Sequence, residues 1–219
     1  MLKAGLTKLS EEKLYRSQNN FYKNAYKTGQ TPWSVDGKPS GNLQKSLKEI
    51  AQKLPNRIAL DLGCGEGRHS SYLSENGFKV IGIDMQETAL KNAGRRKGKG
   101  VLYILGDIFR IPVKENSFGL VIDYGVFHHI RRKDTKVFLN FLFSLLVPRG
   151  YIILTCFSRK FRHASGKTYN SGYACHHSHY DRFSSRKELI AIFSPYFFII
   201  GISENSDGFY NMVLQKKIE

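Results

Sequence analysis

The sequence predicts an α/β fold built on a seven-stranded, mostly parallel sheet with helices on both faces. Three observations carry this expectation. Short apolar runs alternate with helical patterns from Leu43 onward, which is the signature of a parallel sheet wound with helices. A glycine cluster, Gly63 to Gly67, stands where the first apolar run gives way to a helix. Two strand-like runs near the C-terminus lie close enough in sequence to pair antiparallel.

In order along the chain, Leu43, Leu47, Ile50, Ala51 and Leu54 recur at helical spacing, with Ser40 as a cap and Pro55 as a stop. Arg57–Leu62 (RIALDL) is a short apolar run that ends in the glycine cluster, so a buried strand turns directly into a loop. A helix from about Glu66 to Glu75 follows, then a strand at Phe78–Asp84, a helix over Gln86–Arg96 and a strand at Val101–Asp107. The alternation continues with a strand at Phe118–Tyr124, a helix over Thr135–Leu146 and a strand at Tyr151–Phe157. A helix over Ser185–Phe193 precedes the two final runs, PYFFIIGIS (195–203) and GFYNMVLQ (208–215).

The chain has 219 residues, of which 41% are hydrophobic, enough for one domain with an appendage and too apolar for a disordered chain. The boundary falls in the turn-rich stretch TGQTPWSVDGKPSG (28–41), giving an N-terminal helical and aromatic lid segment over 1–40 and a main domain over 41–219. Cys64, Cys156 and Cys175 are odd in number and far apart, so no disulfide framework is expected. The N-terminus lacks the apolar run of a signal peptide and nothing approaches the roughly 18 apolar residues of a membrane helix, so a cytoplasmic protein with no membrane partner is expected, monomeric or homodimeric. A formal charge of +16 raises anionic partners, RNA among them.

Asp61-Leu62-Gly63-Cys64-Gly65-Glu66-Gly67 lies beyond the carboxyl end of the first strand, where ligands bind in open α/β sheets and glycines let them approach the backbone. Arg68 stands one place past the last glycine, so the Gly-x-Gly-x-x-Gly spacing of a dinucleotide site is missed, and no Gly-Lys-Ser/Thr follows for a phosphate loop. Asp84 ends the second strand about twenty residues after the loop, where a carboxylate can accept from both hydroxyls of a ribose. Asp107 ends the third strand beside Ile108, a pair able to receive an adenine amino group and pack on its ring. Together these outline an adenosine pocket without a pyrophosphate cradle.

At these residues the sequence resembles the class I S-adenosylmethionine-dependent methyltransferases, through ALDLGCGEGRHS (59–70), VIGIDM (80–85), LGDIFRIP (105–112) and FGLVIDYGVFHHI (118–130). The resemblance implies the Rossmann-like methyltransferase fold, with the last strand antiparallel. It also implies S-adenosylmethionine as donor and S-adenosylhomocysteine as product. It places Gly63, Cys64 and Gly65 against the methionine part, Asp61 near the donor's amino group, Asp84 and Met85 at the ribose, Asp107 and Ile108 at adenine, and Asp123 at the end of the fourth strand beside the donor. YKNAYKTGQTPWSVDGKPSGNL (22–43) and Asp123-x-Gly125-x-x-His128 look like the lid and strand end of the thiopurine and tellurite-resistance type enzymes, in which a tryptophan, here Trp33, caps the donor.

That branch implies a small-molecule acceptor such as a thiol or metalloid oxyanion. The Asn/Asp-Pro-Pro-Tyr/Phe grip of base N-methylating relatives is missing after the fourth strand. A sulfonium methyl group is already activated, so a thiolate needs little beyond in-line positioning, whereas an amine or hydroxyl needs proton removal, with His128 and Tyr124 the nearest candidates. His176 and His177, after the fifth strand, are candidate substrate contacts. The run Cys175-His176-His177-Ser178-His179, with His163, lacks the spacing that lets metal ligands converge, so no metal is expected and a polar loop over the substrate mouth is. The basic stretches Lys91–Lys99 and Arg131–Lys133 motivate an RNA-modifying alternative, and a donor-binding module without turnover is the other.

Overall fold

The computed structural model describes residues 13–34, 37–96, 100–161, 172–176 and 179–218, with the backbone alone at 13–14 and 174–176. Six α-helices are described: α1 (Lys13–Thr28), α2 (Gly41–Ile50), α3 (Arg68–Glu75), α4 (Glu87–Ala93), α5 (Thr135–Leu145) and α6 (Arg186–Phe193). The strands are β1 (Ile58–Leu62), β2 (Lys79–Asp84), β3 (Val101–Leu105), β4 (Phe118–Tyr124), β5 (Leu146–Phe157), β6 (Tyr173–His176), β7 (His179–Arg182), β8 (Phe197–Glu204) and β9 (Phe209–Lys216).

Seven strands form one sheet in the order β3-β2-β1-β4-β5-β9-β8. Strands β1 to β5 pair in parallel, and β9 runs antiparallel between β5 and β8, as expected of the last strand. Period-2 burial gives the sheet two apolar faces. Leu60, Leu62, Val121, Ile152 and Leu154 point into one core with α5 and α6, while Ala59, Leu120, Ile122 and Ile153 point into the other with Leu43, Leu47 and Ile50 of α2 and Leu73 of α3. The Ser40 hydroxyl caps α2 by accepting from the Leu43 N–H at 3.2 Å. Order reverses between β1 and β4, so the crevice for a ligand opens at their carboxyl ends.

Some boundaries differ from the sequence expectation. β5 begins at Leu146 rather than Tyr151, pairing Leu146 with Phe118 ahead of an irregularity in the ladder. β3 stops at Leu105, because Asp107 starts a 3-10 turn by accepting from the Phe109 N–H. α4 closes at Ala93, where Gly94 caps it, short of Arg96.

The larger difference is the β6–β7 hairpin, which stands where a polar loop was expected. His179, Tyr180, Asp181 and Arg182 are all buried, so this strand is a wall and not a solvated cover. His163 and His177 lie outside the described residues, as do residues 1–12 of the expected lid segment. What is described of that segment is docked on the domain: the Tyr15 hydroxyl donates to Asp134 Oδ2 at 3.0 Å, and the Gln86 side-chain amide donates to the Asn19 carbonyl at 3.1 Å.

Candidate active site

A cleft of about 1290 Å³ lies over the carboxyl ends of the parallel strands, roofed by α1 and the turn containing Trp33. Its floor begins at the glycine loop. Gly63 and Gly65 sit at φ +60° and +54°, left-handed backbone that side-chain-bearing residues rarely adopt, and a Cβ on Gly63 would fall 2.7 Å from Val126 Cγ2. The loop is tied to β2 by two bonds: the Cys64 N–H donates to the Ile83 carbonyl at 2.9 Å, and the Gly65 N–H donates to Asp84 Oδ2 at 2.8 Å.

Asp84 also accepts from the Gln86 N–H at Oδ1, 2.8 Å away. A carboxylate has about four lone-pair sites, so these two bonds orient the group and leave each oxygen able to accept again. Burial pushes the Asp84 carboxyl up, and the backbone N–H groups of Gln86, Gly65 and Met85 oppose that shift. Met85, Asp107 and Ile108 line the same end of the cleft. Trp33 closes it from above, donating its indole N–H to the Tyr26 hydroxyl at 3.1 Å and packing edge-on to Tyr22 with ring centroids 5.2 Å apart.

Two expected donor-binding acids stand one layer behind the cleft wall. Asp61 is 1% exposed and accepts from the Ser70 hydroxyl at 2.6 Å; burial pushes its carboxyl up to about 7. Asp123 is fully buried, and its Oδ1 accepts from the Val126 and Phe127 N–H groups at 2.8 and 3.1 Å. Burial raises its carboxyl to about 6. Alternation along β1 and β4 explains both placements, since the neighbours Leu62 and Tyr124 take the opposite faces. Asp123 therefore shapes the turn that carries Val126 to Gly63, and its support of the loop is indirect.

The far end of the cleft is aromatic. His128 stacks on Phe157 with centroids 3.7 Å apart, and Phe157 stacks on Phe161 at 4.0 Å. Burial drives the His128 pKa well below that of free imidazole, so its ring is neutral. Tyr124 lines the cleft beside His69, centroids 4.4 Å apart, with the Arg68 guanidinium 5.2 Å over its ring. His176 ends β6, and the expected contact at His177 lies outside the described residues.

Sequence reasoning gave no role to Tyr22 or Asp181 and none at the site to His179, yet these line the cleft with His129. The Tyr22 hydroxyl is 2.5 Å from His129 Nε2, and His129 Nδ1 is 3.1 Å from Asp181 Oδ1 and 3.2 Å from the Tyr180 carbonyl. His179 stacks on Phe21 at 4.1 Å, and its Nε2 is 3.4 Å from Asp181 Oδ1. One ring nitrogen each from His128 and His129 and a carboxylate oxygen of Asp181 lie within 4.8 Å of one another, and hydrogen bonds already engage both nitrogens of His129. The signal that could have found His179 and Asp181 is their i, i+2 spacing in HYDR, which puts both on one face of a strand.

A family model described as a methyltransferase domain matches residues 60–154, the span from the first strand to the fifth. An uncharacterized methyltransferase of Schizosaccharomyces pombe is 31% identical over 102 residues, which are 45% of this chain and 70% of that protein. The chain belongs to the class I S-adenosylmethionine-dependent methyltransferases.

This methyltransferase is also 34% identical over 128 residues to the 2-heptyl-1-hydroxyquinolin-4(1H)-one methyltransferase of Mycobacteroides abscessus. That match takes in 56% of this chain and spans about half of the relative, 55% of its length. In three dimensions it resembles a Burkholderia thailandensis 1,6-didemethyltoxoflavin-N1-methyltransferase, solved with 1,6-didemethyltoxoflavin and S-adenosylhomocysteine bound. The TM-score is 0.74 at 17% identity, over 93% of this chain and 89% of the other, a likeness of fold. The methyltransferase's own residues fit the family's donor: a loop whose Gly63 and Gly65 hold left-handed backbone with no side chain, a Cβ at Gly63 colliding with Val126, and a half-buried carboxylate at Asp84 aimed by two backbone N–H groups. No helix among the described residues is long and apolar enough to cross a membrane.

Proposed function

We propose that the chain methylates a small, flat aromatic acceptor. The observation that carries this reading is the continuity of one cleft from the glycine loop to a chamber walled by His128, Phe157, Phe161 and Phe209. When bound, S-adenosylmethionine supplies an activated methyl group. Asp84 accepts from the ribose hydroxyls, Gly63 and Gly65 admit the methionine part, and Asp107 with Ile108 receives the adenine, as the family resemblance implies. Trp33, held by Tyr26 and packed on Tyr22, excludes water above the reacting atoms. The aromatic wall orients a flat ring by stacking, which converts donor and acceptor into near neighbours with little further cost in orientation.

The relatives support this choice of acceptor. One is named for a hydroxyquinolinone, and a protein of the same fold is named for methylating N1 of 1,6-didemethyltoxoflavin. A thiol or metalloid oxyanion, the acceptor of the thiopurine and tellurite-type resemblance, would use less of that wall. The test is transfer of labelled methyl to a panel of hydroxyquinolinones, phenols, aromatic N-heterocycles, thiols, tellurite and RNA, alongside calorimetric binding of S-adenosylhomocysteine. Micromolar binding with label on the aromatic acceptors is expected. Label confined to RNA overturns the proposal, and binding with no label on any acceptor makes the chain a donor-binding module.

A further inference from the structure

We infer that Tyr22, His129 and Asp181 form a proton relay in the cleft, and that the acceptor's nucleophile therefore carries a proton at neutral pH, as a phenolic O–H or a ring N–H does. This rests on the methyl-transfer reading above. It moves the expected base away from His128 and Tyr124.

The hydrogen-bond partners assign the protons. His129 Nδ1 faces two acceptors, the Asp181 carboxylate at 3.1 Å and the Tyr180 carbonyl at 3.2 Å, so Nδ1 bears the hydrogen. Nε2 is then a lone pair, and the Tyr22 hydroxyl donates to it across 2.5 Å. A phenol that donates its proton to an imidazole keeps its own oxygen lone pairs for an incoming O–H or N–H. Asp181 is 1% exposed, and burial raises its carboxyl, but the hydrogen bond from His129 and the neighbouring histidine rings hold it below the usual range. An anion beside Nδ1 stabilises the imidazolium that forms when Nε2 takes a proton.

The step balances within these groups. The acceptor oxygen or nitrogen forms its new bond to the methyl carbon with a lone pair, while the sulfur–methyl bond breaks and its electron pair stays on sulfur. The acceptor's proton passes to the Tyr22 oxygen as the Tyr22 proton passes to His129 Nε2, and the imidazolium later releases it to water. The charged and titratable groups facing the relay are His128 on the same turn, His179 on β7, Asp123 at the end of β4, and Asp84 and Tyr26 beside Tyr22. His128 itself is stacked against Phe157, and burial lowers its pKa, so its ring is a weak base that suits a wall.

Two measurements on the full chain test the relay. Nitrogen-15 spectra of the histidine rings read the tautomer without any acceptor: His129 is expected as the Nδ1–H form, and Tyr22→Phe is expected to move its Nε2 resonance toward that of an unbonded lone pair. An Nε2–H tautomer in the wild type overturns the relay. The second is the pH profile of kcat with 2-naphthol as probe, an aromatic O–H that is neutral at pH 7 and ionises only in the range of a phenol. Tyr22→Phe, which keeps the ring packed on Trp33, should lose about 100-fold near neutrality and regain activity as the probe ionises by itself at higher pH. A loss equal at every pH overturns the relay in favour of a purely structural tyrosine. Failure of the wild type to bind S-adenosylhomocysteine overturns the donor reading instead, and the tautomer still decides the relay.

Discussion

The Gly65 backbone N–H donates to Asp84 Oδ2 at 2.8 Å, so the loop after β1 and the end of β2 hold each other in place. With the Gln86 N–H on the other oxygen, the carboxylate is fixed before any ligand arrives. Preorganisation of this kind lowers the ordering cost of binding.

The loop should tolerate no side chain at Gly63. Gly63→Ala puts a Cβ 2.7 Å from Val126 Cγ2 on a left-handed backbone that costs a further 1–2 kcal/mol or so, so affinity for S-adenosylhomocysteine should fall by about tenfold or more. Gly201→Ala, with nothing within 4 Å of the added Cβ, is the control and should bind as the wild type does. Calorimetric titration of both variants checks this, and equal affinity for Gly63→Ala would remove the steric account of the loop.

Asp61 predicts a pH dependence of stability. Its folded carboxyl lies near 7 against an ordinary 3.8, raised by burial, so between those values the folded chain holds the proton more tightly than the unfolded chain. Stability from this group is therefore complete below about pH 4 and is lost as pH rises toward 7, roughly a few kcal/mol in all. Asp61→Asn, whose side-chain oxygen can still accept from Ser70, should be more stable than wild type at pH 8 and similar near pH 4. Urea midpoints at the two pH values test it; parallel behaviour of the two proteins would contradict the buried-carboxyl account.

Trp33 is the sole tryptophan and lines the cleft, so intrinsic fluorescence reports on the roof directly. Addition of S-adenosylhomocysteine should shift or quench the emission in step with calorimetric binding. An emission unchanged at saturation would mean that Trp33 does not cap the donor.

Most of the sheet was legible in the sequence because its strands are buried on both faces and read as continuous apolar runs, and because glycine and acid punctuation marks their carboxyl ends. Ser40, the glycine loop and Asp84 were legible for the same local reason. Asp61 and Asp123 were harder, since spacing names a strand end and not the face on which a side chain lies. The proposed relay was least legible. Tyr22, His129 and Asp181 are separated by 107 and 52 positions and meet only because α1 and the β6–β7 hairpin fold over one cleft. The hairpin hid behind its own polarity: HYDR looks like a loop until its burial is known.

We propose that Asp84 and the glycine loop form the site of the methyl donor. The most direct test is calorimetric titration of S-adenosylhomocysteine into the wild type and Asp84→Ala, with thermal unfolding of both to confirm the fold. The account predicts micromolar binding to the wild type and a loss of about 100-fold or more in the variant, since two hydrogen bonds to a charged group go with the carboxylate. A folded Asp84→Ala that binds as tightly as the wild type would place the donor elsewhere and contradict it.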